Sequence, residues 1–113
     1  MKTVDHIAVL VENLEVSQKW YEKVCGAELI FDDFKYKRMQ LNNTTIALID
    51  KKHYEYAHIG LIVENYNDLP LNEGEVVQHR DGTTGCYMTD PDGNVVELIH
   101  YNQECKNKLG IEE

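Results

Sequence analysis

Three side chains in this sequence have the types and spacing to do metal chemistry. His6 lies in DHIAVLVEN (5–13), His58 in AHIGLIVEN (57–65) and Glu97 in NVVELIH (94–100). Two imidazoles and one carboxylate can hold a divalent cation and leave positions open for water and substrate. Glu97 raises the question most sharply. It interrupts the apolar run Val95-Val96-Glu97-Leu98-Ile99, where a bare charge is costly unless paired, protonated or bound to a metal. Plainer roles exist for each residue alone. A strand histidine is often a hydrogen-bonded core residue, and a strand glutamate can face water. The coincidence of all three is what favours a metal.

The elements that must position them come in two copies. DHIAVLVEN and AHIGLIVEN repeat at an offset of 52, and TTIALID (44–50) echoes NVVELIH at an offset of 50. Two similar units of about fifty residues imply one supersecondary module used twice. Each copy opens with a β-branched strand. In the first, a helix follows, with Asn13 as N-cap and Gly26 just past its end. Leu14, Tyr21 and Val24 share its inner face with Val16 and Trp20 beside them, and Glu15–Lys19 forms an i,i+4 pair. The strands AELIFDDF, YKRMQLN and TTIALID complete the first copy. The second is leaner. Pro70 and Gly74 leave room for only a turn or two of helix before EVVQHR, GCYMTD and NVVELIHY. The turn Asp90-Pro91-Asp92-Gly93 introduces the last strand.

The expected fold is therefore α+β: two paired βαβββ modules forming a cup-shaped mixed sheet, the second helix shortened. One domain spans 1–113, with module one at about 1–50, module two at about 55–102 and a polar tail at 103–113. Strand side chains alternate between faces. His6, Ala8 and Leu10 share one face of the first strand, and His58, Gly60 and Ile62 one face of the fifth. Both histidines point away from the helices. Val96 and Leu98 suit the helix side, so Glu97 joins the histidines.

Composition excludes several classes. The net charge of −9 lacks the basic footprint of a nucleic-acid binder. No apolar run approaches the ~20 residues that span a bilayer, and no signal peptide is evident. Cys25, Cys86 and Cys105 are odd in number and without metal-type spacing, which fits reduced thiols in a cytoplasm.

The runs DHIAVLVENLEVSQKWYEKVCGAELI, AHIGLIVEN and YMTDPDGNVVELI resemble the vicinal oxygen chelate superfamily, over residues 3 to about 101. That group includes glyoxalase I, fosfomycin-resistance thiol transferases, extradiol dioxygenases, methylmalonyl-CoA epimerase and bleomycin-resistance proteins. The resemblance implies paired βαβββ modules around a metal site, usually in a homodimer, with His6, His58 and Glu97 as ligands. Glyoxalase I and the epimerase use a fourth ligand at the position of Ala47, and alanine can neither ligate nor carry a proton. The three-ligand set is more similar to the fosfomycin-resistance enzymes and the dioxygenases, and the two pocket tyrosines of the fosfomycin-resistance enzymes fall on Tyr56 and Tyr87. Their lysine- and serine-rich phosphonate loop is not recognisable in VVQHRDGTTG. The resemblance also admits a metal-free, drug-sequestering protein of bleomycin-resistance type, which the acidic charge fits, and an extradiol dioxygenase, with His79 in the second sphere.

Residues and resemblance together lead to the expectation of a cytoplasmic glyoxalase-like metalloenzyme using Mn, Fe, Ni, Co or Zn. Its substrate is a small molecule with vicinal oxygens, with a thiol as a possible co-substrate. His6, His58 and Glu97 hold the metal. Tyr56, Tyr87 and Glu97 are the catalytic candidates, and Arg38, Tyr56, Tyr87 and His79 the substrate-binding ones. Arg38 reads equally as a bidentate anion clamp or as an exposed strand arginine. His53 and His100 are read as bystanders.

Overall fold

In the computed structural model, which describes residues 2–102, the repeat is visible as topology. Eight strands form a mixed sheet: β1 (Thr3–Val11), β2 (Glu28–Asp32), β3 (Tyr36–Gln40), β4 (Thr45–Asp50), β5 (His58–Ile62), β6 (Glu75–Gln78), β7 (Thr84–Thr89) and β8 (Val95–His100). Their order is β2-β3-β4-β1-β5-β8-β7-β6. Each module thus places its first strand beside its fourth: β2-β3-β4-β1 in one copy, β6-β7-β8-β5 in the other. The helix α1 (Leu14–Cys25) fills the first crossover, and a single 3₁₀ turn (Tyr66–Asp68) stands in the second. That is the shortened helix. The tail 103–113, with Cys105, lies outside the described residues. Among those residues, no helix is long and apolar enough to cross a membrane.

The chain divides into two compact units, Val4–Ile59 and the part from Gly60 onward together with the first residues. In the first unit, β1 runs parallel to β4 with His6 opposite Thr45 and Ala8 opposite Ala47. Crossover through α1 makes that parallel pairing possible, since a tight turn cannot. Asn13 Oδ1 accepts from the Val16 N–H at 3.0 Å, and Gly26 takes the left-handed conformation that ends the helix (φ 67°). Leu14 and Tyr21 pack on a core of Ala27, Met39 and Leu48, joined by Val9, Val11 and Ile46.

Two expectations for α1 do not hold. Val16, Trp20 and Val24 are more than half exposed, so the buried stripe is narrower than periodicity suggested. Only a strip centred on Leu14 and Tyr21 meets the sheet. Glu15 also binds elsewhere than Lys19. The Nζ of Lys37 on β3 donates to Glu15 at 2.6 Å and Gln18 at 2.6 Å, and lies 3.2 Å from Asp32. A long-range partner held at 3% exposure outcompetes a mobile surface lysine one helical turn away.

In the second unit, β6, β7 and β8 pair antiparallel, with Tyr87 opposite both Glu75 and Glu97. Val63, Leu69, Cys86 and Leu98 form its core, with Leu61, Met88 and Val96 against them. The turn before β8 is built by Asp90. Its carboxylate accepts from the side-chain amide of Asn94 and from the backbone N–H groups of Asn94 and Asp92, each at 2.9 Å. Those bonds, the Asn94 side chain first, hold its pKa below the usual carboxylate value.

Candidate metal centre

Alternation along β1 turns Ile7 outward and buries His6 and Ala8. His6 is 7% exposed. Its Nε2 lies 3.0 Å from Nε2 of His58, with the two rings edge-to-face at 5.1 Å between centroids. On the other nitrogen, Nδ1 meets Asp5 Oδ2 at 2.6 Å. The Nη2 of Arg38 reaches the same carboxylate oxygen at 3.3 Å and Thr45 Oγ1 at 3.1 Å. Arg38 faces this way because its neighbours on β3, Lys37 and Met39, face the helix side.

Glu97 is 1% exposed on β8. Leu98 joins the core, and Glu97 points the other way. Its Oε2 lies 2.5 Å from Nε2 of His79. Gly85 makes the space. A Cβ there would overlap Glu97 Oε2 and sit 2.6 Å from His79 Nε2. The ring of Tyr87 stands edge-on to His79 at 6.0 Å.

Among the described residues, His6, His58 and Glu97 each offer one ligand atom, and those atoms lie within 4.8 Å of one another. A buried His/His/Glu cluster suited to a divalent cation is therefore present. The spacing fits the group: two ligands at right angles around a cation with bonds of ~2.1 Å stand about 3.0 Å apart, which is the His6–His58 separation. The usual fourth position is closed. Ala47 is 6% exposed and packs with Ala8 and Ile49, offering no donor.

The other site candidates fall in distinct places. His79 is bonded to Glu97, and Tyr87 is next to His79. Arg38 is engaged by Asp5 and Thr45. Tyr56 lies in the irregular segment before β5 and is 38% exposed. His100 meets Tyr66 edge-to-face at 5.6 Å between ring centroids, and His53 sits in an exposed turn. Sequence reasoning missed Asp5, Thr45 and Gly85. Strict alternation sends neighbours such as Asp5 and His6 to opposite faces, which hid their contact. The Gly85 signal was available: a glycine inside a strand often marks close approach by another group.

A mixed sheet of paired βαβββ modules carrying two histidines and a glutamate defines a protein of the vicinal-oxygen-chelate type. The chain belongs to the glyoxalase/bleomycin resistance protein/dioxygenase superfamily, whose family model matches residues 3–98. It is 27% identical to metallothiol transferase FosB of Staphylococcus haemolyticus, over 87% of this chain and 83% of that protein. It is 29% identical to a protein of Bacillus subtilis described as a "probable trivalent organoarsenical cleaving enzyme", over 84% and 77%. Methylmalonyl-CoA epimerase from Mycobacterium tuberculosis has a similar fold, with a TM-score of 0.71 at 12% identity, over 93% and 91% of the two chains. Fold, donor set and relatives place the chain among the metal-assisted small-molecule enzymes of this superfamily.

Proposed function

We propose that this protein is a divalent-metal-dependent transferase that joins a thiol to a small substrate bearing adjacent oxygens. His6, His58 and Glu97 would hold the metal, and the convergence of their ligand atoms carries the reading. A divalent ion bound there supplies Lewis acidity to substrate oxygens. A three-residue set leaves coordination positions for those oxygens.

The chain's own groups divide the remaining work. Ala47 gives no carboxylate to shuttle a substrate proton, which disfavours glyoxalase- or epimerase-type isomerisation. Attack of the thiol sulfur on a substrate carbon forms the C–S bond as a C–O bond of the substrate opens, and the thiol proton ends on the freed oxygen, so no carbon-bound proton has to move. Proton handling falls to Tyr56, Tyr87 and Glu97, with the Glu97–His79 hydrogen bond as the support for the last. Tyr87 and His79 stand together and would hydrogen-bond the substrate; Arg38, fixed on Asp5 and Thr45, would add positive charge against an anionic group. Similarity to a metallothiol transferase supports the thiol as co-substrate. The 29% identity to the organoarsenical protein supports a second reading, cleavage of a trivalent organoarsenical at the same centre. A homodimer in a reducing cytoplasm completes the proposal; Cys25 is an exposed free thiol and Cys86 a buried one.

Metal analysis of protein purified without chelator tests the class. About one equivalent of Mn, Fe, Ni, Co or Zn is expected in the wild type and none in Glu97→Ala. Activity on fosfomycin with a thiol, on methylglyoxal with a thiol, and on a trivalent organoarsenical then separates the chemistries. A metal-free protein that retains a drug-like ligand would instead establish the sequestering function.

A further inference from the structure

We propose that Asp5 is a positioning residue: clamped by Arg38, its carboxylate fixes the ring of His6 so that Nδ1 carries the proton and Nε2 presents its lone pair toward His58. The metal-ligand part of this rests on the function proposed above; the tautomer assignment does not.

The argument follows the direction of each hydrogen bond. Arginine only donates and a carboxylate only accepts. Arg38 Nη2 therefore donates to Asp5 Oδ2 at 3.3 Å and to Thr45 Oγ1 at 3.1 Å. Thr45 Oγ1, having accepted, gives its own proton to the main-chain oxygen of Asp5 at 3.0 Å. Asp5 is thus held by its backbone and its side chain at once. Its Oδ2 faces His6 Nδ1 at 2.6 Å, the short distance of a charge-assisted bond. Since the carboxylate can only accept, Nδ1 must be the donor. In the neutral ring the lone pair is then on Nε2, the atom 3.0 Å from His58.

Burial makes the assignment strict. The side chains of Asp5, His6 and Arg38 are 8%, 9% and 14% exposed, so bulk water has little access to reorder these bonds. Partners behind a ligating histidine set ring orientation and raise its basicity, and losing one typically costs 10–100-fold in metal affinity. Glu97 has a comparable support in His79. The Asp5–Arg38–Thr45 arrangement bears on Nδ1 of His6.

Two measurements test this. The first is the ¹⁵N spectrum of the His6 imidazole in metal-free protein. The Nδ1–H tautomer is expected in the wild type and in Asp5→Asn, whose side-chain oxygen still accepts. Mixed or Nε2–H tautomer is expected in Asp5→Ala. An Nε2–H wild type overturns the proposal without recourse to any variant. The second is Co²⁺ affinity by competition with a chromophoric chelator. Asp5→Ala should lose 10–100-fold and Asp5→Asn less than tenfold. Equal losses in the two variants, or unchanged affinity in Asp5→Ala, overturn it. A wild type that takes no Co²⁺ but shows the Nδ1–H tautomer refutes the metal function and keeps the Asp5 assignment.

Discussion

At the scale of the residue, the notable feature is how much structure is devoted to two side chains. His6 is oriented from behind by Asp5, and Glu97 is buried against His79 in a space that only a glycine leaves open. A buried carboxylate without partners would be costly, which explains why Glu97 is not simply a strand residue that happens to be acidic. The prediction belongs to Gly85. Its Cβ would collide with the carboxylate itself, so Gly85→Ala should displace Glu97 and weaken Co²⁺ binding by at least tenfold. Chelator competition measures this. Wild-type affinity in that variant would mean Glu97 is not held where its burial places it. His6, His58 and Glu97 were legible in the sequence because the repeat gave the histidines equivalent positions and alternation gave all three a face. Asp5 was not, because its importance lies in a bond between chain neighbours; Gly85 carried only the general signal of a glycine inside a strand, which does not say which side chain approaches it.

Among the elements, the junction of α1 with β2 and β3 turns on Lys37. Burial alone would lower its pKa, but hydrogen bonds to Glu15 and Asp32 overcome that and raise it above the ordinary 10.5. Its partners are unequal in exposure: the Glu15 side chain is 71% exposed and that of Asp32 33%. Removing the cation therefore leaves carboxylates that water can solvate, whereas removing the carboxylates strands a buried cation. Lys37→Met should cost no more than about 1 kcal/mol in urea unfolding. Glu15→Gln with Asp32→Asn should cost about 3 kcal/mol or more. The opposite order would show that Lys37 is not paired as described. Asp32 also carries a pH dependence. The Phe34 backbone N–H, and then Lys37, hold its pKa below the ordinary 3.8. A group depressed on folding stabilises above its unfolded pKa and loses that contribution as pH falls through the folded value. The stability difference between wild type and Asp32→Asn should be constant above about pH 5 and shrink below pH 3.8. Unfolding curves across pH 2–7 read it out.

For the whole molecule, metal and stability are linked. A ligand that binds only the folded chain stabilises it by about 2.7 kcal/mol at one hundred times its Kd. Adding Co²⁺ to chelator-treated protein should raise Tm in the wild type and leave Glu97→Ala unmoved, which calorimetry checks. A rise in both would place the cation elsewhere. The sequence by itself determined the duplication, the order of elements, the capped first helix, the shortened second one and the ligand candidates. These are local or periodic properties: a cap is set by one side chain, a strand face by parity, a repeat by comparison along the chain. Tertiary structure alone decided that Glu15 binds Lys37 rather than Lys19, that Val16, Trp20 and Val24 stay exposed, and that Arg38 braces Asp5. Each of those outcomes is a competition between partners distant in sequence. Distance through space, burial and the direction of each hydrogen bond settle such competitions, and none of the three is written in residue order.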